Sequence, residues 1–131
     1  MSALLVHLSL AQAPPTVLRI AGEIDMASAP VLRHHLLALP DDSTVVELSG
    51  VGLLSAAGVT ELIDLRDRLA RAGVPLALAA ARPLVRQVLE LIGIADTVIL
   101  ADTVTDAIHL MATPTPGTGH GYRSWRPGPV L

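Results

Sequence analysis

Five short aliphatic runs alternate with segments of helical period along this chain, and few architectures accept that order. Leu4 to Leu10 reads as a strand and Thr16 to Ala21 as its partner, with Ala11 to Pro15 turning the chain between them. Ser28 is placed to cap a helix whose first turn holds Ala29 and Pro30, and Leu32, Leu36 and Leu39 recur along it at helical spacing. Pro40-Asp41-Asp42 ends that helix, and Thr44 to Leu48 forms the next β run, closed by Ser49-Gly50. A long helix over Ala56 to Ala72 sets Gly58, Leu62, Leu65 and Leu69 on one face, flanked by Val59 and Ile63. Its other face carries Thr60, Glu61, Asp64, Asp67, Arg68 and Arg71. There, Asp64 with Arg68 and Asp67 with Arg71 make acid-first i,i+4 pairs, each worth a few tenths of a kcal/mol.

After the stop at Gly73, Leu76 to Ala80 is a continuous apolar run of the kind buried on both faces. Arg82 to Ile92 is a third helix, with Leu84, Val85, Val88, Leu89 and Ile92 inward. Thr97 to Leu100 is a last strand, and Thr103, three residues before Asp106, opens a final helix to Met111. The order β-β-α-β-α-β-α-β-α predicts a single α/β domain, a mixed and mostly parallel sheet packed with about four helices, over residues 1–112. From 113 to 131 the pattern dissolves into a Pro/Gly-rich C-terminal tail. The chain has no Phe, and its two aromatics, Tyr122 and Trp125, both fall in that tail, so the core is built from Leu, Val, Ile and Ala. Trp125 therefore reports on the tail.

The composition excludes several kinds of chemistry. With no cysteine there is no disulfide, thiolate nucleophile or cysteine-ligated zinc, and with no lysine there is no P-loop lysine or Schiff base. A net charge of −3 with dispersed arginines argues against a nucleic-acid groove. No apolar run approaches the ~20 residues of a membrane span. Ala3 to Leu10 and Ala11-Gln12-Ala13 imitate a signal peptide, but no basic residue precedes them and His7 interrupts the run, which favours the cytoplasm. Histidines 7, 34, 35, 109 and 120 lack metal-ligand spacing; His34 and His35 point ~100° apart on a helix. No Gly-x-Ser-x-Gly elbow occurs. Gly50-Val51-Gly52, between a strand and a helix, is a weak hint of a nucleotide loop, because Ser55 stands where a third glycine belongs. These readings point to a binding protein with no cofactor or metal of its own, not an enzyme.

Two segments carry a resemblance. One is Gly22-Glu23-Ile24-Asp25 with Ser28-Ala29-Pro30 and Leu32; the other is Val46-Glu47-Leu48-Ser49-Gly50-Val51 followed by Leu53-Leu54-Ser55-Ala56-Ala57-Gly58-Val59. Together they resemble the STAS domain family, and in particular the stand-alone anti-sigma factor antagonists of bacteria. Arg82-Pro83-Leu84-Val85-Arg86-Gln87-Val88-Leu89-Glu90-Leu91-Ile92-Gly93 looks like that family's third helix. The resemblance spans Leu4 to Met111.

It implies a protein that binds an anti-sigma factor, a kinase-like ATP-binding protein, and so releases a sigma factor for transcription. It also implies a docking surface made by Asp25, Ser28, Ser55, Ala56, Ala57 and Gly58. The family's usual phosphoacceptor opens the second helix within Asp-Ser-Ser/Thr-Gly. Here the four residues are Ser55-Ala56-Ala57-Gly58, and Ala57, at the acceptor position, has no hydroxyl. Ser55 is the nearest hydroxyl that could substitute. Simpler roles stand beside these: Ser55 as an N-cap, Gly58 as a close-packing residue, Asp25 as a solvated loop acid, and Glu47 as an arginine's partner. A STAS scaffold within a signalling or transporter assembly is the alternative function, and a weak homodimer stays open.

Overall fold

Neighbouring residues Val45 and Val46 are both fully buried, which requires a strand covered on each face. The computed structural model describes residues 4–9 and 14–112 and supplies both covers. Its elements are β1 (Leu5–Ser9), β2 (Thr16–Ile24), α1 (Ala29–Leu37), β3 (Thr44–Leu54), α2 (Ala56–Arg71), β4 (Leu76–Ala79), α3 (Pro83–Ile92), a 3₁₀ turn over Ile94–Asp96, β5 (Ile99–Ala101) and α4 (Val104–Ala112). The five strands lie in the sheet in their sequence order; β1 is antiparallel to β2 and every later pairing is parallel. The α/β class and element order read from the sequence are those observed.

The two covers differ in size. Leu32 and Leu36 of α1, Leu62, Leu65 and Leu69 of α2, and Val85 and Leu89 of α3 share one core with Leu18, Ile20, Val46, Leu48 and Leu78 of the sheet. On the opposite face, Ala107 of α4 packs with Val45, Ala77, Ala79, Ile99 and Ala101. The small alanines of β4 and β5 let this single helix sit close. Three helices thus line one face and α4 covers β3, β4 and β5 on the other. The part of that second face formed by β1 and β2 carries no helix among the described residues.

Several boundaries move. β2 runs on to Ile24 and β3 to Leu54, past the Ser49-Gly50 stop expected from composition. The register slips between Arg19 and Ala21 and again between Gly22 and Glu23, so the paired strands bulge and continue. Gly50 is what permits it: a Cβ there would lie 2.7 Å from the Ala21 Cβ and 3.1 Å from its Cα. Gly50-Val51-Gly52 is consequently strand, and no turn is left to cradle a nucleotide. The last strand begins at Ile99 because the 3₁₀ turn takes up the chain before it.

On α3, Leu84 and Ile92 are exposed, not inward; Val85 and Leu89 are buried in the core and Val88 packs against it partly buried. On α2, Glu61 is buried and paired with Arg33 at 3.3 Å instead of facing solvent. Neither expected i,i+4 pair forms. Arg68 turns to α1 and Asp41, while Asp67 takes Arg66 at 2.8 Å. Thr103 does cap α4, its Oγ1 accepting from the Asp106 N–H at 3.0 Å.

Candidate partner-docking site

Because Ile24 and Leu54 are register partners on adjacent parallel strands, the residues that follow them emerge side by side, one strand spacing of about 4.8 Å apart. Those residues are Asp25 and Ser55. The Ser55 N–H donates to the Ile24 carbonyl at 2.8 Å, which ties the start of α2 to the end of β2. Two loops far apart in sequence therefore make one surface at the carboxyl end of the sheet.

The Asp25 turn is held by reciprocal hydrogen bonds. The Ser28 N–H donates to Asp25 Oδ1 at 2.9 Å, the Asp25 N–H donates to Ser28 Oγ at 2.9 Å, and the Ser28 hydroxyl donates to the Glu23 carbonyl at 2.9 Å. This corrects the expectation that Ser28 caps α1. Ser28 already has helical angles and makes no side-chain cap; the capping oxygen is that of Asp25, one turn earlier. The Ser28 N–H, and then its hydroxyl, hold the Asp25 carboxyl below the usual carboxylate value. The turn's contribution to stability is complete above the unfolded carboxylate value of ~3.9 and is lost as pH falls through the lower folded value. An NMR titration should find the Asp25 carboxyl midpoint below that of a free aspartate, and Ser28→Ala should move it back toward the ordinary value.

At the start of α2, the Ser55 Oγ accepts from the Gly58 N–H at 3.3 Å, an N-cap as expected. Ala56 is exposed and Ala57 half-buried, whereas Gly58 faces inward. A Cβ on Gly58 would run into Ile24 Cγ2 and lie 2.8 Å from Leu54 Cδ1, so the glycine is what lets α2 sit against the strand ends. Two further residues belong to this surface and had not been singled out: Met26, 81% exposed in the Asp25 turn, and Leu53, 43% exposed beside it in register with Glu23. A large apolar side chain within a polar turn is a signal that was available in Asp25-Met26-Ala27-Ser28. Arg82 bounds the surface, its Nε donating to the Ser49 carbonyl at 2.8 Å across the exposed strand at Gly52.

Residues 8–107 match the STAS domain profile. The chain belongs to the STAS domain family. An anti-sigma factor antagonist from Mycobacterium paratuberculosis superposes on this STAS chain with a TM-score of 0.76 at 25% identity, over 85% of this chain and 96% of that one. An anti-sigma-factor antagonist (STAS) domain protein from Planctomyces limnophilus gives 0.68 at 16% identity, over 82% and 98%. The Bacillus cell fate determinant SpoIIAA in its phosphorylated form gives 0.62 at 17%, over 80% and 97%. No curated protein matches the chain significantly.

Within this STAS domain, the structure gathers Asp25, Ser28, Ser55, Ala56 and Ala57 at one end of the sheet, with Gly58 beneath them. Glu47 lies apart, on the sheet face opposite the three helices, where its carboxylate accepts from the Ser49 N–H at 2.6 Å and stands 3.9 Å from Arg19. This surface offers the Asp25 carboxylate, the hydroxyls of Ser28 and Ser55 and several apolar side chains. That is the chemistry of association. Among the described residues, no group of three His, Cys, Asp or Glu side chains is arranged to hold a metal ion, and no helix is long and apolar enough to cross a membrane.

Proposed function

We propose that this STAS domain is a cytoplasmic anti-sigma factor antagonist. It binds a kinase-like, ATP-binding anti-sigma factor and thereby releases a sigma factor for transcription. The observation that carries the reading is the juxtaposed pair of loops, where the rigid Asp25 turn and the capped start of α2 present Met26, Leu53 and Ala56 to solvent. Exposed apolar anchors on a hydrogen-bonded frame suit docking with little loss of conformational freedom. The relative from Mycobacterium paratuberculosis, by its description an anti-sigma factor antagonist, supports the same role.

Control of the complex differs from phosphorylation at the start of α2. A phosphate adds about −1.5 to −2 charges and would break an apolar contact there. SpoIIAA has a phosphorylated form, but Ala57 offers no oxygen to modify. Ser55 is a poor substitute, since its oxygen is engaged with the Gly58 N–H. The complex is therefore expected to persist in ATP.

The test is affinity capture from lysate of the source organism, with partners identified by mass spectrometry. A kinase-fold anti-sigma factor in the eluate supports the proposal, and with ATP added the wild-type complex should survive while Ala57→Ser dissociates. Ala57 also supports a second reading, a STAS subunit that has left sigma control for another assembly. Capture of a transporter or sensor complex with no kinase-fold protein establishes that reading and overturns the first.

A further inference from the structure

β1 stands at one end of the sheet, and among the described residues nothing pairs with its outer edge. A free strand edge is a template for another strand, and proteins usually blunt it with charge, proline, a bulge or brevity. β1 has none of these devices. Leu5-Val6-His7-Leu8-Ser9 holds no proline, acid, lysine or arginine, and its residues pair with β2 in unbroken register. β5, at the other end, is only three residues long, which is itself a protection.

We propose that this edge takes a second copy of itself, β1 against β1 in antiparallel register about His7. The two five-stranded sheets then run on as one in a weak dimer. The backbone shows which groups are on offer. The Thr16 N–H donates to the Ser43 carbonyl at 2.9 Å, so Thr16 turns its backbone groups toward β3. These directions alternate along a strand, which points those of Val17, Arg19 and Ala21 at β1. Their register partners Ser9, His7 and Leu5 answer them, and the N–H and C=O of Val6 and Leu8 point outward. An antiparallel copy centred on His7 sets Val6 of each chain opposite Leu8 of the other, each pair exchanging both of its N–H···O bonds.

The side chains fit the same register. Val6 packs partly buried against the core beneath the three helices, and Leu8, on the same face of the strand, is 37% exposed. Pairing puts each exposed Leu8 beside an apolar Val6, the kind of cross-strand contact that stabilises a sheet. Charge selects the same occupant. β1 carries no formal charge, so it brings no like charges together when it meets its own copy, and it offers no counter-charge to a charged foreign strand. Five residues a side make a contact smaller than the ~1,200–2,000 Å² of standard interfaces, so the dimer belongs to high protein concentration.

The chain has no cysteine, so a single introduced one reads the register. In the dimer His7 forms a non-hydrogen-bonded pair with its copy, the Cα atoms about 4.5 Å apart, within the span of a disulfide. Leu5 faces Ser9 of the other chain and lies about 13 Å along the strand from the other Leu5. His7→Cys is therefore expected to crosslink several-fold faster than Leu5→Cys in a glutathione redox buffer. Sedimentation of the wild type should show its mass rising from monomer toward dimer between micromolar and millimolar protein. Leu8→Pro removes an outward donor and leaves the β1–β2 ladder its own, and His7→Asp sets two carboxylates together on the axis. Both should stay monomeric with wild-type far-UV circular dichroism; His7 is exposed, so His7→Asp carries the test if the proline disturbs β1. A wild type that stays monomeric at millimolar concentration overturns the proposal and leaves the edge to a strand of another protein. Equal crosslinking by the two cysteine variants also overturns it, since the copies then meet elsewhere. So does a dimer that His7→Asp leaves intact.

Discussion

Gly58→Val is expected to destabilise the domain by about 3 kcal/mol, the upper end of what overpacking a tight core usually costs. A Cβ at this position meets Ile24, which is fully buried, and Leu54, which is 4% exposed, so neither has room to retreat. Ile24 is also the residue whose carbonyl holds the Ser55 N–H, and displacing it pulls on the frame of the proposed docking surface. Gly58→Ala should be milder, because alanine recovers about 1 kcal/mol of helix propensity against the same clash. Urea unfolding provides the check: the midpoint falls in the order glycine, alanine, valine while the slope stays constant. Equal midpoints for all three would show that the strand end yields freely to α2.

Arg68→Ala is the second large loss, at about 2–4 kcal/mol. Two groups of this guanidinium's contacts explain it. One nitrogen donates to the Leu36 and Leu39 carbonyls, both at 3.1 Å, which supplies donors where α1 runs out of its own. Hydrogen bonds to a charged donor contribute about 1.5–3 kcal/mol each when partly shielded, and this side chain is only 23% exposed. The contact of Nε with Asp41 at 3.1 Å adds little, because Asp41 is 64% exposed and the buried Nε lacks hydrogen-bond alignment with it. Arg68→Lys should recover less than half of the loss, since a freely rotating, strongly hydrated ammonium does not reproduce the fixed planar N–H pair with which the one guanidinium nitrogen reaches both carbonyls. Thermal unfolding of the three proteins decides it, and an unchanged Arg68→Ala midpoint removes the capping role.

Much of the fold was legible because the aliphatic runs and helical stripes of this sequence do not compete. Leu32 with Leu36, and Leu62 with Leu65 and Leu69, sit where their spacing places them. What misled was glycine and charge. Gly50 read as a stop, yet it keeps β3 going, because a missing side chain serves close strand contact as well as a turn. Glu61 and Arg68 read as solvated, but their partners Arg33, Leu36 and Leu39 lie on another helix or just past its end, and such pairing leaves no mark at i,i+4 spacing. At the site, Asp25 and Ser55 were found through resemblance, while their adjacency follows from a strand register that spacing does not encode. Met26 was passed over because a turn was read for its polar residues alone.

The order of the strands bears on how the protein is made. Each strand after the first lies beside the one synthesised just before it. A chain leaving the ribosome from its N-terminus can thus lay down the sheet as it emerges, every helix closing over a pairing already formed. No strand has to wedge between two that are already joined, so neighbours find each other over short stretches of chain and the slow search for distant partners is avoided. Only α4, the last described element to appear, must reach to the opposite face, and it arrives when the strands beneath it are complete.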